Sequence, residues 1–421
     1  MKRWVLVCLA AGATWALADR LEDTFYVPLD HPAIGYARPA NDPVARLEKR
    51  LESGQAKLTY SADGRGYLAS LLQQLDIHVD SQILVFSRTS IQLPRISPRT
   101  PRAIYFNDEV AVGYVQGGDV LELTSLDPKQ GVVLYTLDSE RSEHPELSRR
   151  DDCLKCHQGP VTLGVPGLLV SSVHPNTEGP SSEGHGSAYE TDQRVEIKDR
   201  WGGWYVSGTH GDQKHLGNNP MLLDPLHPGG PGGANTQNVT DLSGFFDTSR
   251  YPAPTSDIVA LLTIEHQTRM TNLMVRVGWD TRIAQHDGTL DKVKEQLDSE
   301  IEQMVEYMLY ADETPLTAPV AGVSTFTKTF AERGPRDAKG RSLRDFDLRT
   351  RLFRYPVSYM IYSPAFDGMP ELVRERVYRR MYEVLSGKDQ SKALARPSSE
   401  DRQAALEIVR ATKPNLPAYW K

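Results

Sequence analysis

The sequence predicts an α+β protein with a β-rich antiparallel middle region and a helical C-terminal part. Two observations carry that reading. Between 103 and 135, four short apolar or aromatic runs are separated by turn-forming residues, and beyond 255 apolar residues recur at spacings of three and four. Composition sets the class: 39% hydrophobic and 24% charged residues suit a folded chain and exclude a mostly disordered one. At 421 residues the chain can bury a sizeable core without disulfide staples. With 48 Lys and Arg against 55 Asp and Glu, the formal charge is −7, so no basic excess is available for nucleic acid.

Residues 1–18 have the pattern of an export signal. Lys2 and Arg3 precede an apolar run from Trp4 to Leu17, and Ala16-Leu17-Ala18 is a small-x-small cleavage site. The run is shorter than the ~20 residues a spanning helix needs, and Asp19, Arg20, Glu22 and Asp23 follow at once. The expectation is a cleaved signal and a periplasmic chain with no membrane span. Loss of Lys2 and Arg3 makes the mature chain more acidic still, which favours a basic partner.

The region 19–100 is mixed and Pro-punctuated, with a short helix over 67–75 and a strand over 83–86. The region 101–250 opens on the runs 103–106, 111–115, 120–123 and 132–135. Asn107-Asp108, Gly117-Gly118-Asp119 and Asp127-Pro128 separate them, which reads as an antiparallel meander. Gly, Pro and Ser then dominate, predicting long loops over 175–186 and 218–236 with one strand across 204–209 between them. The region 251–421 is helical. One helix starts at Ser256-Asp257 and stops at Gly278, with Val259, Leu262, His266, Met270, Leu273 and Val277 on one face. Others are predicted over 290–309, over 371–385 before Gly387, and from the Ser398-x-x-Asp401 cap to 412. These regions need not be separable domains.

The cysteines carry the chemistry. Cys8 leaves with the signal, so Cys153 and Cys156 remain, in Cys153-Leu154-Lys155-Cys156-His157. In an oxidising compartment a cysteine pair suggests a disulfide, but bridging across two residues closes a strained loop. Structural zinc would need a second ligand pair. A thioredoxin-like pair would sit at the strand-to-helix junction of a βαβ unit, and no such pattern precedes it. C-x-x-C-H is instead the attachment pattern of c-type haem. Two thiols make thioethers to the haem vinyl groups, and the next residue brings its imidazole to the iron.

These five residues resemble the haem motif of exported bacterial c-type cytochromes. The resemblance implies one covalent haem c, with Cys153 and Cys156 as attachment points and His157 as proximal iron ligand. There is no second such motif, so a multihaem wire is excluded. The rest of the chain does not resemble the small all-helical cytochrome c fold. The stretches 201–206 and 354–359 resemble larger exported cytochrome-like proteins of unnamed function.

The expected function is periplasmic one-electron transfer to a redox partner protein. One alternative is a haem oxidoreductase with an open sixth iron position, acting on peroxide or a small oxyanion. Another is a haem-based sensor or binding module. Candidates for the sixth ligand are His266, His215 and His210, with Met270 one helical turn beyond His266. His266 reads first as a hydrogen-bonded core residue and only second as an iron ligand. His210 and His215, in a polar Gly-flanked segment, read as iron ligand, distal acid–base, separate metal site or solvated loop. Tyr205 and Arg269 are possible second distal groups. Trp201, Trp204 and Tyr205 suggest core or haem-edge packing, and His174, His185 and His227 fall in loops. No G-x-G-x-x-G in a βαβ context, P-loop or G-x-S-x-G elbow occurs, which argues against nucleotide chemistry and serine hydrolysis.

Overall fold

The computed structural model describes residues 26–87, 90–173, 188–219, 236–389, 391, 394 and 397–421. The export signal, the loop over 175–186, most of the loop over 218–236, and His174, His185 and His227 lie outside them.

A seven-stranded antiparallel sheet organises the N-terminal half. Its strands are β1 (Ile83–Val85), β2 (Arg102–Phe106), β3 (Val110–Tyr114), β4 (Val120–Asp127), β5 (Gly131–Asp138) and β6 (Leu147–Arg149). One short pair follows in the chain, β7 (Ser171–Val173) with β8 (Ala188–Glu190), and then come β9 (Trp204–Tyr205), the seventh strand of the sheet, and β10 (Gly208–Thr209). The sheet runs β6-β5-β4-β3-β2-β1-β9, so the predicted meander, β2 to β5, is present, extended by β6 on one side and by β1 and β9 on the other. Its longest pair, β4 with β5, keeps register from Val120 opposite Asp138 to Asp127 opposite Gly131.

Both faces of this sheet are covered, which is why its strands read as apolar runs and not as clean alternation. Ala103, Tyr105, Val112, Tyr114, Leu121, Leu123, Val133 and Tyr135 point to one side. There they meet α1 (Pro43–Glu52), α2 (Leu68–Gln74) and the aromatic trio Phe245, Phe246 and Tyr251. The α1 start is an N-cap that the sequence spells as Asp42-Pro43. The Asp42 carboxylate accepts from the Val44 and Ala45 amides at 2.9 and 3.1 Å, and from the Tyr135 hydroxyl of β5 at 2.6 Å.

Phe106, Leu126, Val132 and Leu134 point to the other side, into a second core that runs from Val27 to Trp420. Residues from all three regions of the sequence share this core. It is built around the helices α4 (Ile258–His286) and α5 (Lys294–Met308), which follow the one-turn α3 (Leu154–His157) in the chain. The strand β11 (Ala321–Gly322), pairing with β10, leads to α6 (Phe326–Glu332), α7 (Pro364–Gly368), α8 (Glu371–Leu385) and α9 (Ser399–Thr412). The last two match their predicted spans, with the Ser398 hydroxyl capping the Asp401 amide at 3.0 Å.

Helix α4 departs from its prediction in two ways. It does not stop at Gly278 but continues to His286. A Cβ at Gly278 would lie 3.1 Å from the flexible Arg282 guanidinium and at an ordinary 3.9 Å from Met369 and Pro370, where the chain crosses the helix. Nor is the helix amphipathic: every residue from Ser256 to Trp279 is buried. Helix α5 begins later than expected, at Lys294.

The single strand predicted over 204–209 is two strands in different sheets. Gly208, at φ +154°, makes the break, and a Cβ there would lie 2.4 Å from Ile258. Among the described residues, no helix is long and apolar enough to cross a membrane.

Candidate functional site

The Cys153–His157 motif sits directly after edge strand β6, on the sheet face that packs against α4. A 3-10 turn over Asp151–Cys153 runs into α3. Leu154 is the buried anchor, joined to the larger core with Cys153 packed beside it. The strand before the turn is tied down by Arg149. Its guanidinium bonds the Tyr36 carbonyl at 2.6 Å, bonds Asp151 at 3.0 Å, and lies 4.4 Å over the Tyr36 ring.

Cys153 is half-buried, Cys156 is exposed, and both thiols are free. Burial, with the Asp152 carboxylate nearby, pushes the Cys153 thiol up, so it is held as the thiol. His157 is half-buried, and burial lowers its pKa, so its ring is neutral. Its Nδ1 lies 3.0 Å from the Gly167 carbonyl oxygen. A carbonyl only accepts, so Nδ1 carries the proton and Nε2 keeps its lone pair. That is the tautomer a metal-ligating histidine needs, with the second-shell acceptor in place.

The loop 159–168 makes this geometry. It turns back through left-handed Leu163 and Gly164, so that the Gly167 amide donates to the His157 carbonyl at 2.8 Å. Gly167 therefore holds both the backbone and the ring of His157. Asn272, fully buried on α4, in turn holds Leu168, accepting from its amide at 2.9 Å and donating to its carbonyl at 2.7 Å. A Cβ on Gly167 would meet the Asn272 Oδ1 at 2.4 Å and the Thr162 Cβ at 2.9 Å. Arg276, one turn along α4, donates to the Leu163 carbonyl at 2.7 Å. Sequence reasoning missed Gly167, Asn272 and Arg276. Buried polar residues at 272 and 276, four apart in a helix with no exposed face at that level, were the available signal.

Arg102 and Glu122 complete the surroundings. They pair at 2.7 Å across the sheet, and their charges act on the His157 ring in opposite directions. Arg102 reaches Glu122 over Gly113, whose missing Cβ would lie 2.7 Å from the guanidinium. Trp204 shares this face, because Arg102 pairs with Val85 and Val85 with Trp204. Its indole donates to the Ser171 carbonyl at 2.7 Å. A cavity of about 460 Å³ opens beside α3, lined by Tyr26, Leu29, Tyr36, Leu154, Lys155 and Gln158. Asp151 and Asp152 also line it, whereas Cys153, Cys156 and His157 do not.

The other candidates divide by what their polar atoms already do. His266 is a satisfied core residue. Its Nδ1 bonds the Gln193 Oε1 at 2.6 Å, and its Nε2 meets the Ser358 and Tyr310 hydroxyls at 2.7 and 3.1 Å. Its ring stacks on Tyr307 and Tyr310, and burial lowers its pKa to about 3. With both nitrogens engaged, it has none for iron. Met270 is plain core. Tyr205 points to the opposite sheet face, packed on Phe86 and Phe246, with its hydroxyl on the Pro98 carbonyl at 2.6 Å. It belongs to the other core, away from the motif. Arg269 is buried, 3.8 Å from Glu190.

His210 and His215 are brought together, with ring centroids 4.8 Å apart, and are buried, so they are not solvated loop residues. The Asn238 amide donates to the His210 Nε2 at 2.9 Å, which puts the His210 proton on Nδ1. His215 packs edge-on against Trp201, and neither of its ring nitrogens has a hydrogen-bond partner. The His210 Nδ1 also has no partner, but Nε2 is taken by the Asn238 amide; of the three histidines proposed as sixth ligand, only His215 has both ring nitrogens unclaimed.

No protein-family model, curated protein or solved structure matches the chain.

Proposed function

We propose that the chain is an exported, mono-haem c-type protein that passes single electrons to a partner. In this reading Cys153 and Cys156 are the thioether attachment points and His157 Nε2 is the proximal iron ligand. One observation carries it. A single turn of helix presents two free thiols beside an imidazole whose Nδ1–H is already committed to a carbonyl.

A bound haem would supply a one-electron ferric/ferrous couple. The protein's residues hold and tune the ligand. The Gly167 carbonyl accepts a hydrogen bond from Nδ1–H, which fixes the ring and makes Nε2 a stronger donor, lowering the potential. Arg102 and Glu122 place one charge of each sign near the imidazole, so neither oxidation state gains a net counter-charge. Asn272 keeps the clasping loop in register with α4.

A second reading, a haem-dependent oxidoreductase with an exchangeable sixth position, is favoured by one fact. His266 has both ring nitrogens engaged and the His210 Nε2 lone pair is taken by the Asn238 amide, so two of the three candidate sixth ligands are already committed within the protein. The test is absorption spectroscopy of protein exported together with haem-attachment machinery, run beside a haem-stained denaturing gel. The expected result is a haem that survives denaturation and is lost in Cys153→Ser/Cys156→Ser. A haem that denaturation removes overturns the proposal. A low-spin spectrum in both oxidation states supports electron transfer, and ready uptake of CO or cyanide supports the oxidoreductase reading.

A further inference from the structure

Far along the chain from the motif, His31, His286 and Asp287 meet at the surface, each offering a ligand atom within 4.8 Å of the others. His286 and Asp287 end α4, and Asp287 is its C-cap. His31 sits in a tight turn in which its carbonyl accepts from the Ile34 and Gly35 amides, both at 2.9 Å. The turn sets the His31 ring edge-on to His286, with centroids 5.2 Å apart. Asp287 Oδ1 lies 2.8 Å from His286 Nδ1 and 3.4 Å from His31 Nε2.

We propose that these three side chains bind a divalent transition-metal ion of borderline softness, such as Zn²⁺, completed by water. Metal bonds of about 2.0–2.1 Å in a tetrahedron put donor atoms roughly 3.3–3.4 Å apart. The two observed nitrogen–oxygen separations bracket that edge. Two imidazoles and a carboxylate suit Zn²⁺, Ni²⁺ or Cu²⁺, whereas Ca²⁺ and Mg²⁺ prefer an all-oxygen set. The side chains can adjust, since the His286 and Asp287 side chains are 50% and 42% exposed.

Binding places the proton of each ring on the nitrogen that faces away from the ion. On His286 the proton moves from Nδ1, which faces Asp287, to Nε2. On His31 it moves from Nε2 to Nδ1, displacing the Ala33 amide that now donates to Nδ1 at 3.2 Å. That is a long contact at a half-exposed residue, where water replaces it. A bound ion would join the turn at His31 to the end of α4. The same N-terminal segment contributes Leu29 and Tyr36 to the cavity beside α3, so the ion would brace that wall.

The test is calorimetric titration of the tag-free full-length protein with ZnCl₂ and, separately, CaCl₂. One equivalent of Zn²⁺ is expected, with affinity weakened by about tenfold or more in His286→Ala and in Asp287→Asn. Both changes are at exposed positions, so melting without metal should match the parent, and only the parent's melting temperature should rise with Zn²⁺. The proposal fails if Zn²⁺ does not bind, if it binds the variants as tightly as the parent, or if Ca²⁺ binds equally well. Parent and variants alike carry Cys153→Ser/Cys156→Ser, so that the motif's thiols do not compete for Zn²⁺ and the outcomes do not depend on whether haem is attached.

Discussion

The clasp on His157 makes a quantitative claim about two residues 105 positions apart in sequence, Gly167 and Asn272. Asn272→Ala removes both hydrogen bonds to Leu168 and leaves a backbone amide and a carbonyl beneath the loop without partners. At about 1–2 kcal/mol for each, the expected destabilisation is roughly 2–4 kcal/mol. Gly167→Ala acts differently. The glycine's φ is not in the left-handed region, so its backbone accepts alanine, which through the unfolded state would by itself stabilise by about 0.4–1 kcal/mol. Instead the new Cβ falls 2.4 Å from the Asn272 Oδ1, an overlap that costs about 1–3 kcal/mol to relieve. Deleting the Asn272 side chain removes that atom and leaves only the Thr162 contact at 2.9 Å. The double variant should therefore be more stable than the sum of the single changes predicts, by about 1–2 kcal/mol. Urea unfolding of the parent, both single variants and the double measures this. Additivity within about 0.5 kcal/mol, or an Asn272→Ala cost below about 1 kcal/mol, would refute the clasp. If haem is attached as proposed, the midpoint potential should also rise in both single variants as the Nδ1 acceptor is displaced.

Two further outcomes follow from the histidines. His266→Ala should leave the iron spectrum unchanged while costing roughly 3–5 kcal/mol in urea unfolding, because it empties a buried site and strands Ser358, Tyr310 and Gln193; a changed spectrum would return His266 to the iron. His215, whose pKa burial lowers to about 3, is neutral in the folded protein but binds a proton in the unfolded chain below its ordinary value of about 6.5. Between those limits the unfolded state holds more protons, so stability falls as pH falls, at about 1.4 kcal/mol per pH unit for this one group. The His215→Phe variant should lose that slope, and at pH 7 it should be nearly as stable as the parent because the ring nitrogens it deletes have no partners. A parallel pair of stability–pH curves would show that His215 is not the group responsible.

How much of this was legible in the sequence depended on whether the signal was local. Strands β2 to β5 were visible because turn residues punctuate them, and α8 and α9 because their caps or breakers stand at their ends. The Cys153–His157 motif was legible for the same reason: its chemistry needs a fixed spacing within one helical turn. What holds it was not. Gly167 carries no left-handed signature, and it must be glycine because Thr162 and, from a helix more than a hundred residues later, Asn272 both close on it. Helix α4 shows the limit most clearly. A three-and-four stripe names one face, but here there is no solvent face, so its polar residues are the connectors: Asp257 caps its start, His266 joins it to Gln193 and Ser358, and Asn272 and Arg276 fix the loop behind the motif. Periodicity assigned His266 to the inside correctly and could not say what it met there. The difference between a core histidine and an iron ligand lies in its partners, Gln193 and Ser358, which lie 73 and 92 residues away in sequence. A histidine inside a helix is thus ambiguous until every atom around its two nitrogens is known. By that criterion His266 is occupied, His210 is held in one tautomer, and His215 is left with ring nitrogens whose partner, if it has one, comes from outside the chain.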